Sequence, residues 1–535
     1  MLRPVPVIPY FFLCVFLLTL PLAAVEVGDV VFKTSFEEPD ALDHWTGSRA
    51  APISQSGGAI RVSLPEEGNV KHASVTRQLP AEPLRGTRLR ITGRIKAENV
   101  KEPPQSYNGI KMMLVLDSPS GKLWLQRNAV WGTFDWKEVS FIAHVPGDVT
   151  EATLLLGIEN TTGTAWFDDI TITVIAKKPA RPGERPAGPV YKGHDLPRLR
   201  GAMIDPNSFT AEDLKVLAGD WKANHIRWQF LWDGFPNGPA DTATVEEFDA
   251  WIDRQCAKLD ALLPELERYG VRIALDLHTP PGGRMPREAG SAMRLFQEKQ
   301  FQDAFVATWQ KLAKKYKDVD VVWSYDLLNE AVEGDMPQSL PENEGEKLLD
   351  WRALALKTSK EIRKIDPDKA IVIEPAPWGA PDALEWFEPF DPKEVPNVVY
   401  SVHLYLPHVF THQGVYESPT GLVYPGIMPD GKHWDKAQIR NSLKSVIDYT
   451  HDFGVAIYIG EFGSIRWAPD NSSYRYLRDC IEVFEEEGWD WAYHAFREWH
   501  GWSVEHGPDK DNNRRVTEPT DRERLLRSWF EKNER

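Results

Sequence analysis

The chain has 535 residues, a formal net charge of −17, 42% hydrophobic residues and 26% charged residues. That balance is typical of folded chains and excludes wholesale disorder, and the length leaves room for roughly two to four domains, or for one large barrel with a smaller module. An acidic surface argues against nucleic-acid and anionic-membrane partners, which are bound by clustered Lys and Arg.

Arg3 precedes an uncharged stretch whose middle, from Tyr10 to Leu18, is apolar, and Ala23-Ala24 lead into Glu26. A positive start, an apolar middle and a small-residue exit predict a secretory signal over 1–24. The expected mature protein is exported, periplasmic or extracellular, with no membrane span left after signal removal.

Residues 25–176 read as short strands separated by turn clusters at 118–121 and 146–148. Apolar residues alternate along 110–117, and Trp166, Ile170, Ile172 and Val174 share one parity, as in a half-buried strand. The pattern is that of an all-β sandwich. Residues 177–196 are Pro-rich without apolar periodicity, which predicts a linker with no core.

Over 197–535 strand and helix patterns alternate. Strands are expected at 199–204, 225–230, 271–277, 321–329, 370–374, 398–405, 455–460 and 490–496, with amphipathic helices such as 244–269, 294–316, 346–365 and 520–531. Eight such units make an α/β fold, a (β/α)8 barrel, carrying the β-sandwich in front. Cys256 and Cys480 fall on helices that are not neighbours around that ring, so both are expected as free thiols.

Active sites of such barrels lie at the C-terminal ends of the strands, so the polar residues there are informative. Arg227 lies on the second strand, His278 ends the third, Asn329-Glu330 end the fourth, His403 and Tyr405 lie on the sixth, and Glu461 ends the seventh. Each alone has a plain explanation, such as a Glu favoured at a helix N-terminus or a buried core His. Two carboxyls placed roughly opposite each other at one mouth are harder to explain that way, because like charges brought together there are costly. One protonated and one ionised carboxyl is the pair that glycosidic cleavage requires. His403, His408 and His412 are spread along a Pro-interrupted loop and no HExxH is present, so no metal or cofactor is expected in catalysis.

These strand-end residues, together with Arg200-Gly201, resemble glycoside hydrolase family 5, in the Asn-Glu clan of retaining (β/α)8 hydrolases, over about residues 199–502. The resemblance implies Glu330 as acid/base and Glu461 as nucleophile, with Arg227, His278, Asn329, His403 and Tyr405 around the attacked sugar. It also implies an aromatic platform at the end of strand eight. Here Tyr493 is followed by His494 rather than Trp, and the platform is assigned to Trp499. In the front domain the opening segment Phe32–Glu38 and the closing segment Trp166–Ile172 look like the terminal strands of a carbohydrate-binding jelly roll, a resemblance that implies a structural calcium at Glu37 and Asp168. Asp168 shares the parity of Trp166 and Ile170 and needs a partner; a backbone donor would serve as well. Trp124, Trp131 and Trp136 are either sugar platforms or core aromatics. The expected activity is retaining hydrolysis of a β-linked polysaccharide or oligosaccharide of β-glucan or mannan type by a monomer. The alternatives are an exo-acting or glycolipid-directed β-glycosidase of the same fold, or a non-catalytic polysaccharide-binding protein.

Overall fold

The computed structural model describes residues 25–534 apart from 39, 49–57, 67–69, 120, 129, 182–192, 233–241, 285–291, 335–347 and 416–417. The expected signal segment lies outside the described residues. The chain divides into two compact units, Met1–Lys178 and Pro179–Arg535.

The first unit contains β1 (Val30–Thr34), β2 (Trp45–Gly47), β3 (Ile60–Leu64), β4 (His72–Leu79), β5 (Thr87–Val100), β6 (Gly109–Ser118), β7 (Gly121–Gln126), β8 (Gly132–His144), β9 (Glu151–Glu159) and β10 (Gly163–Lys177). One five-stranded sheet runs β1-β10-β5-β8 with β3 also on β10, and the other runs β2-β4-β9-β6-β7. Both contribute to one core, with Ile91 and Phe167 from the first sheet and Leu114 and Leu154 from the second. The expected terminal strands do pair, Phe32 opposite Ile172 and Thr34 opposite Ile170.

One pattern reading is corrected. In β10 the inward residues are Ala165 and Phe167 before Asp168, and Ile170, Ile172 and Val174 after it. A register shift between Asp168 and Thr171 marks a bulge, with Asp169 at φ 49°. One extra residue exchanges the two faces, so Trp166 lies on the opposite face from Ile170. In β6 the alternating residues Ile110, Met112, Leu114 and Leu116 do enter the core, and Lys111, Met113 and Val115 on the other face are buried as well.

The second unit closes eight parallel strands into a barrel: Arg200–Ile204, His225–Gln229, Arg272–Asp276, Val322–Asp326, Ala370–Ile373, Val398–Leu404, Ala456–Phe462 and Asp490–Tyr493. Met203, Ala274, Trp323, Val372, Val399, Tyr458 and Ala492 pack together as a cluster of large and small side chains. Amphipathic helices surround them. Val245–Arg268, for example, starts at a capping box in which Thr244 and Glu247 satisfy each other's backbone amides. The expected helix 294–316 is a 3-10 turn, Arg294–Phe296, followed by the helix Lys299–Tyr316. The fourth strand is shorter than expected. It ends at Asp326, and the chain reaches Glu330 in a left-handed conformation, φ 47°.

Part of the expected linker departs from the coreless reading. From Gly193 the chain packs on the barrel, with buried His194 placing Nε2 2.7 Å from Asp490 Oδ2. Cys256 and Cys480 are buried free thiols on the helices Val245–Arg268 and Ser472–Glu487.

Candidate active site

The mouth of the barrel is organised around Arg227, a fully buried residue of the second strand. Its Nη1 donates to Glu461 Oε1 at 2.7 Å, its Nε to Asp326 Oδ2 at 2.8 Å, and its Nη2 to Glu374 Oε1 at 2.7 Å and Asn329 Oδ1 at 3.2 Å. Asp276 Oδ1 is 3.2 Å from Nη2. The other oxygen of Glu461 accepts from the Tyr405 hydroxyl at 2.8 Å. His403 and Glu461 are register partners across adjacent strands, after a shift between Val402 and His403. His403 Nδ1 is thereby 3.0 Å from Glu330 Oε1 and 3.7 Å from Glu461 Oε2. His278 rests on Asp276 through Nδ1 at 2.8 Å, and Asn329 Nδ2 is 3.3 Å from its Nε2. Arg227, His278, Asn329, Glu330, His403, Tyr405 and Glu461 therefore meet at one place.

The electrostatics separate the groups. Burial alone would raise Glu461, but the charges of His403, His494, Arg227 and His278 outweigh it and hold the carboxyl well below its usual range. Burial likewise opposes charge on His403, yet Glu374 and Glu461 raise it well above the ordinary imidazole value. Burial and the neighbouring charge of Glu461 keep the Tyr405 phenol protonated. Burial and the neighbouring charges of Glu374 and Asp276 raise the Asp326 carboxyl, against the pull of Arg227.

Glu330, His403 and Glu461 each offer one ligand atom within 4.8 Å of the others, which makes them the one three-residue metal-type grouping among the described residues. A divalent cation there would lie beside the Arg227 guanidinium, already 2.7 Å from Glu461. The donor set suits a protonated network better than an ion.

Trp499 stands farther out. It is 36% exposed, packs on Trp467 and Trp502, and lines a cavity of about 330 Å³ with Asp205, Phe209 and Arg497. Trp502 in turn contacts Tyr405 at 5.9 Å between centroids. The end of strand eight is occupied by His494, whose Nδ1 is 2.5 Å from the Tyr405 hydroxyl and whose Nε2 is 3.3 Å from Glu498. Burial disfavours its charge, but Glu498 and Glu461 raise it.

Sequence reasoning missed His494, Glu498, Asp276, Asp326 and Glu374. It also missed Trp378, which is 41% exposed at φ 64° with Arg284 over its ring at 5.3 Å. Glu374 and His494 carry the same signal that found the others, a polar residue at the end of a barrel strand.

In the front unit Asp168 does not point into the core as its parity suggested. It sits at the bulge, and its Oδ1 accepts from the Asp169 amide at 2.7 Å. Burial and the nearby charges of Asp169 and Glu37 raise its carboxyl. Trp124 and Trp131 are not core aromatics, being 61% and 42% exposed. Trp136 is partly covered, with Arg94 5.3 Å over its ring.

A barrel mouth that brings two glutamates together suits hydrolysis of glycosidic bonds, and comparison with known proteins gives the family. Residues 191–503 match the model for cellulase, glycosyl hydrolase family 5, and the chain belongs to that family. Among curated relatives, endoglucanase C of Acetivibrio thermocellus is 28% identical over 252 residues, 43% of this chain and 68% of that protein. Cellodextrinase A of Ruminococcus flavefaciens is 24% identical over 288 residues, 53% of this chain and 76% of that one. Among solved structures, endoglucanase Cel5A of Thermotoga maritima superposes with a TM-score of 0.46 at 22% identity, over 61% of this chain and 96% of its own. The protein is an enzyme, a glycoside hydrolase with a polysaccharide substrate. No helix among the described residues is long and apolar enough to cross a membrane.

Proposed function

We propose that the protein cleaves a β-linked glucan by double displacement, with Glu461 as nucleophile and Glu330 as acid/base. The carrying observation is the spacing of the pair: oxygens of Glu330 and Glu461 lie within 4.8 Å of each other. Retaining enzymes hold their carboxyls about 5–5.5 Å apart, whereas inverting enzymes need about 6.5–9.5 Å to seat a water between them.

In the first step Glu461 attacks the anomeric carbon while Glu330 protonates the departing glycosidic oxygen. Arg227 and Tyr405 hold Glu461 ionised and fix its two oxygens. Once the glycosyl-enzyme bond forms, the negative charge of Glu461 is gone and Glu330 has released its proton. Glu330 then takes a proton from water, which opens the intermediate with the original configuration. Asn329 and His278 line the sugar side, and the exposed rings of Trp499 and Trp378 are the stacking surfaces of the barrel.

Relatives named endoglucanase and cellodextrinase support a glucan substrate over a mannan. Export under the segment 1–24 and action as a monomer belong to the same proposal. A panel of β-glucan, mannan and xylan polymers with product-length analysis tests the substrate. Glucan oligomers are the expected products; release from mannan or xylan alone would overturn the assignment.

A further inference from the structure

Glu374 directly follows the fifth barrel strand, is fully buried, and uses both carboxylate oxygens on the residues of the site. Oε1 accepts from Arg227 Nη2 at 2.7 Å and lies 3.2 Å from His403 Nε2. The His403 contact lacks hydrogen-bond geometry, so it acts as charge against charge. Oε2 accepts from the backbone amide of Glu330 at 2.8 Å. That amide belongs to a residue held at φ 47°, a conformation unfavourable for a side chain with a Cβ. The loop that follows is shaped to this carboxylate. Gly379, at φ 58°, passes so close that a Cβ there would lie 2.9 Å from Glu374 Oε2 and 3.4 Å from the His403 ring. The Gly379 carbonyl accepts from the His403 amide at 2.8 Å.

We propose that Glu374 is a positioning residue that couples the two halves of the site, holding Glu330 in its left-handed pose through the backbone while tying Arg227 and His403 to the side of Glu461. This rests on the roles given above to Glu330 and Glu461. A plain packing role would need neither two acceptors nor a charge. A Gln at this position keeps the shape, but its amide nitrogen must face either the Glu330 N–H or the Arg227 Nη2 donor, so one contact becomes donor against donor.

The charge has a separate consequence for pH. His403 is faced by Glu330 from the end of strand four, Glu374 from strand five, Glu461 and Arg227 through strands seven and two, and His494 from strand eight. Of the surrounding charges, that of Glu374 is the largest favouring the imidazolium. A neutral residue at 374 lets His403 lose its proton at lower pH.

The test uses the full chain with Glu374→Gln and Glu374→Asp, an aryl β-cellobioside and a soluble β-glucan. Glu374→Gln is expected to lower kcat about 100-fold with little change in KM, the scale of a misplaced catalytic group. It should also move the alkaline limb of kcat/KM down by about one pH unit. Glu374→Asp keeps the charge but is too short to reach both sides, so kcat should fall while the alkaline limb stays near that of the wild type. Where the Gln variant does not fold, the Asp variant decides: wild-type kcat would overturn the proposal. So would a Gln variant that loses activity without a shift of the limb, or through KM alone. Glu330→Gln and Glu461→Gln are run alongside. Full activity in those two would refute the reading of the pair itself, whereas their loss with an unaffected Glu374→Gln would refute only the role of Glu374.

Discussion

The two carboxyls of the site are surrounded in opposite ways. Glu461 is 4% exposed, with one oxygen on Arg227 and the other on Tyr405. Glu330 has 23% of its side chain exposed and meets His403 at 3.0 Å. Beyond that single contact the surrounding structure holds its backbone, through Glu374 and through Arg284, whose Nη2 donates to the carbonyls of Asn329 and Glu330. The difference matches the two tasks. A nucleophile must stay charged and aimed, which calls for fixed donors on both oxygens. A group that gives up a proton and takes one back from water must remain reachable by water.

The largest effect should come from the rigid side. Glu461→Gln removes the attacking oxygen and should lower kcat on β-glucan on the order of 10⁵-fold. Oligosaccharide binding, measured by calorimetry, should persist; turnover within tenfold of the wild type would remove Glu461 from its role. On the open side, Glu330→Gln should cost about 10²–10⁴-fold on polymer, the usual worth of a positioned general acid. With an activated aryl leaving group the first step needs little acid help, so the loss there should be much smaller. Equal losses on both substrates would contradict the assignment.

A smaller effect is expected from Tyr405→Phe, which strips one donor from Glu461. A hydrogen bond to a charged group is worth about 1.5–3 kcal/mol, so kcat/KM should fall by about 10–100-fold. The sign of the pH effect follows from the depressed carboxyl of Glu461. Its ionised form persists as pH falls, down to its lowered value, so activity is lost only below that point. Removing a donor to the carboxylate raises that value. The acid limb should therefore move to higher pH in Tyr405→Phe, and an unmoved limb would mean that the hydroxyl does not support the charge.

Most of the site was legible because a (β/α)8 barrel turns the C-terminal end of every strand toward one mouth. Arg227, His278, Asn329, Glu330, His403, Tyr405 and Glu461 could each be placed by their position on a strand alone. Glu374 ends a strand in the same way, but it precedes Pro375 and reads as a strand terminator. Its role depends on the reach of the Arg227 side chain, which no spacing rule reports. Asp276 and Asp326 lie within apolar strand runs, and the buried guanidinium, with His278 on Asp276, explains why acids are tolerated there. In the sandwich the parity of β10 failed because the bulge at Asp168 inserts one residue, and a period-two pattern carries no marker for an insertion. The exposed Trp124 and the fully buried Trp228 show the same limit for aromatics: residue type gives the ring, and only packing says which side it faces.

The most direct measurement is the configuration of the first-formed product. Hydrolysis of a β-glucan oligosaccharide can be followed by proton NMR from the first minutes, before mutarotation mixes the anomers. With Glu461 as nucleophile and an oxygen of Glu330 within 4.8 Å of it, the β-anomer should appear first and the α-anomer only later, at the rate of mutarotation. Initial appearance of the α-anomer would show that water, not Glu461, attacks the anomeric carbon, and would contradict the double-displacement mechanism at its centre.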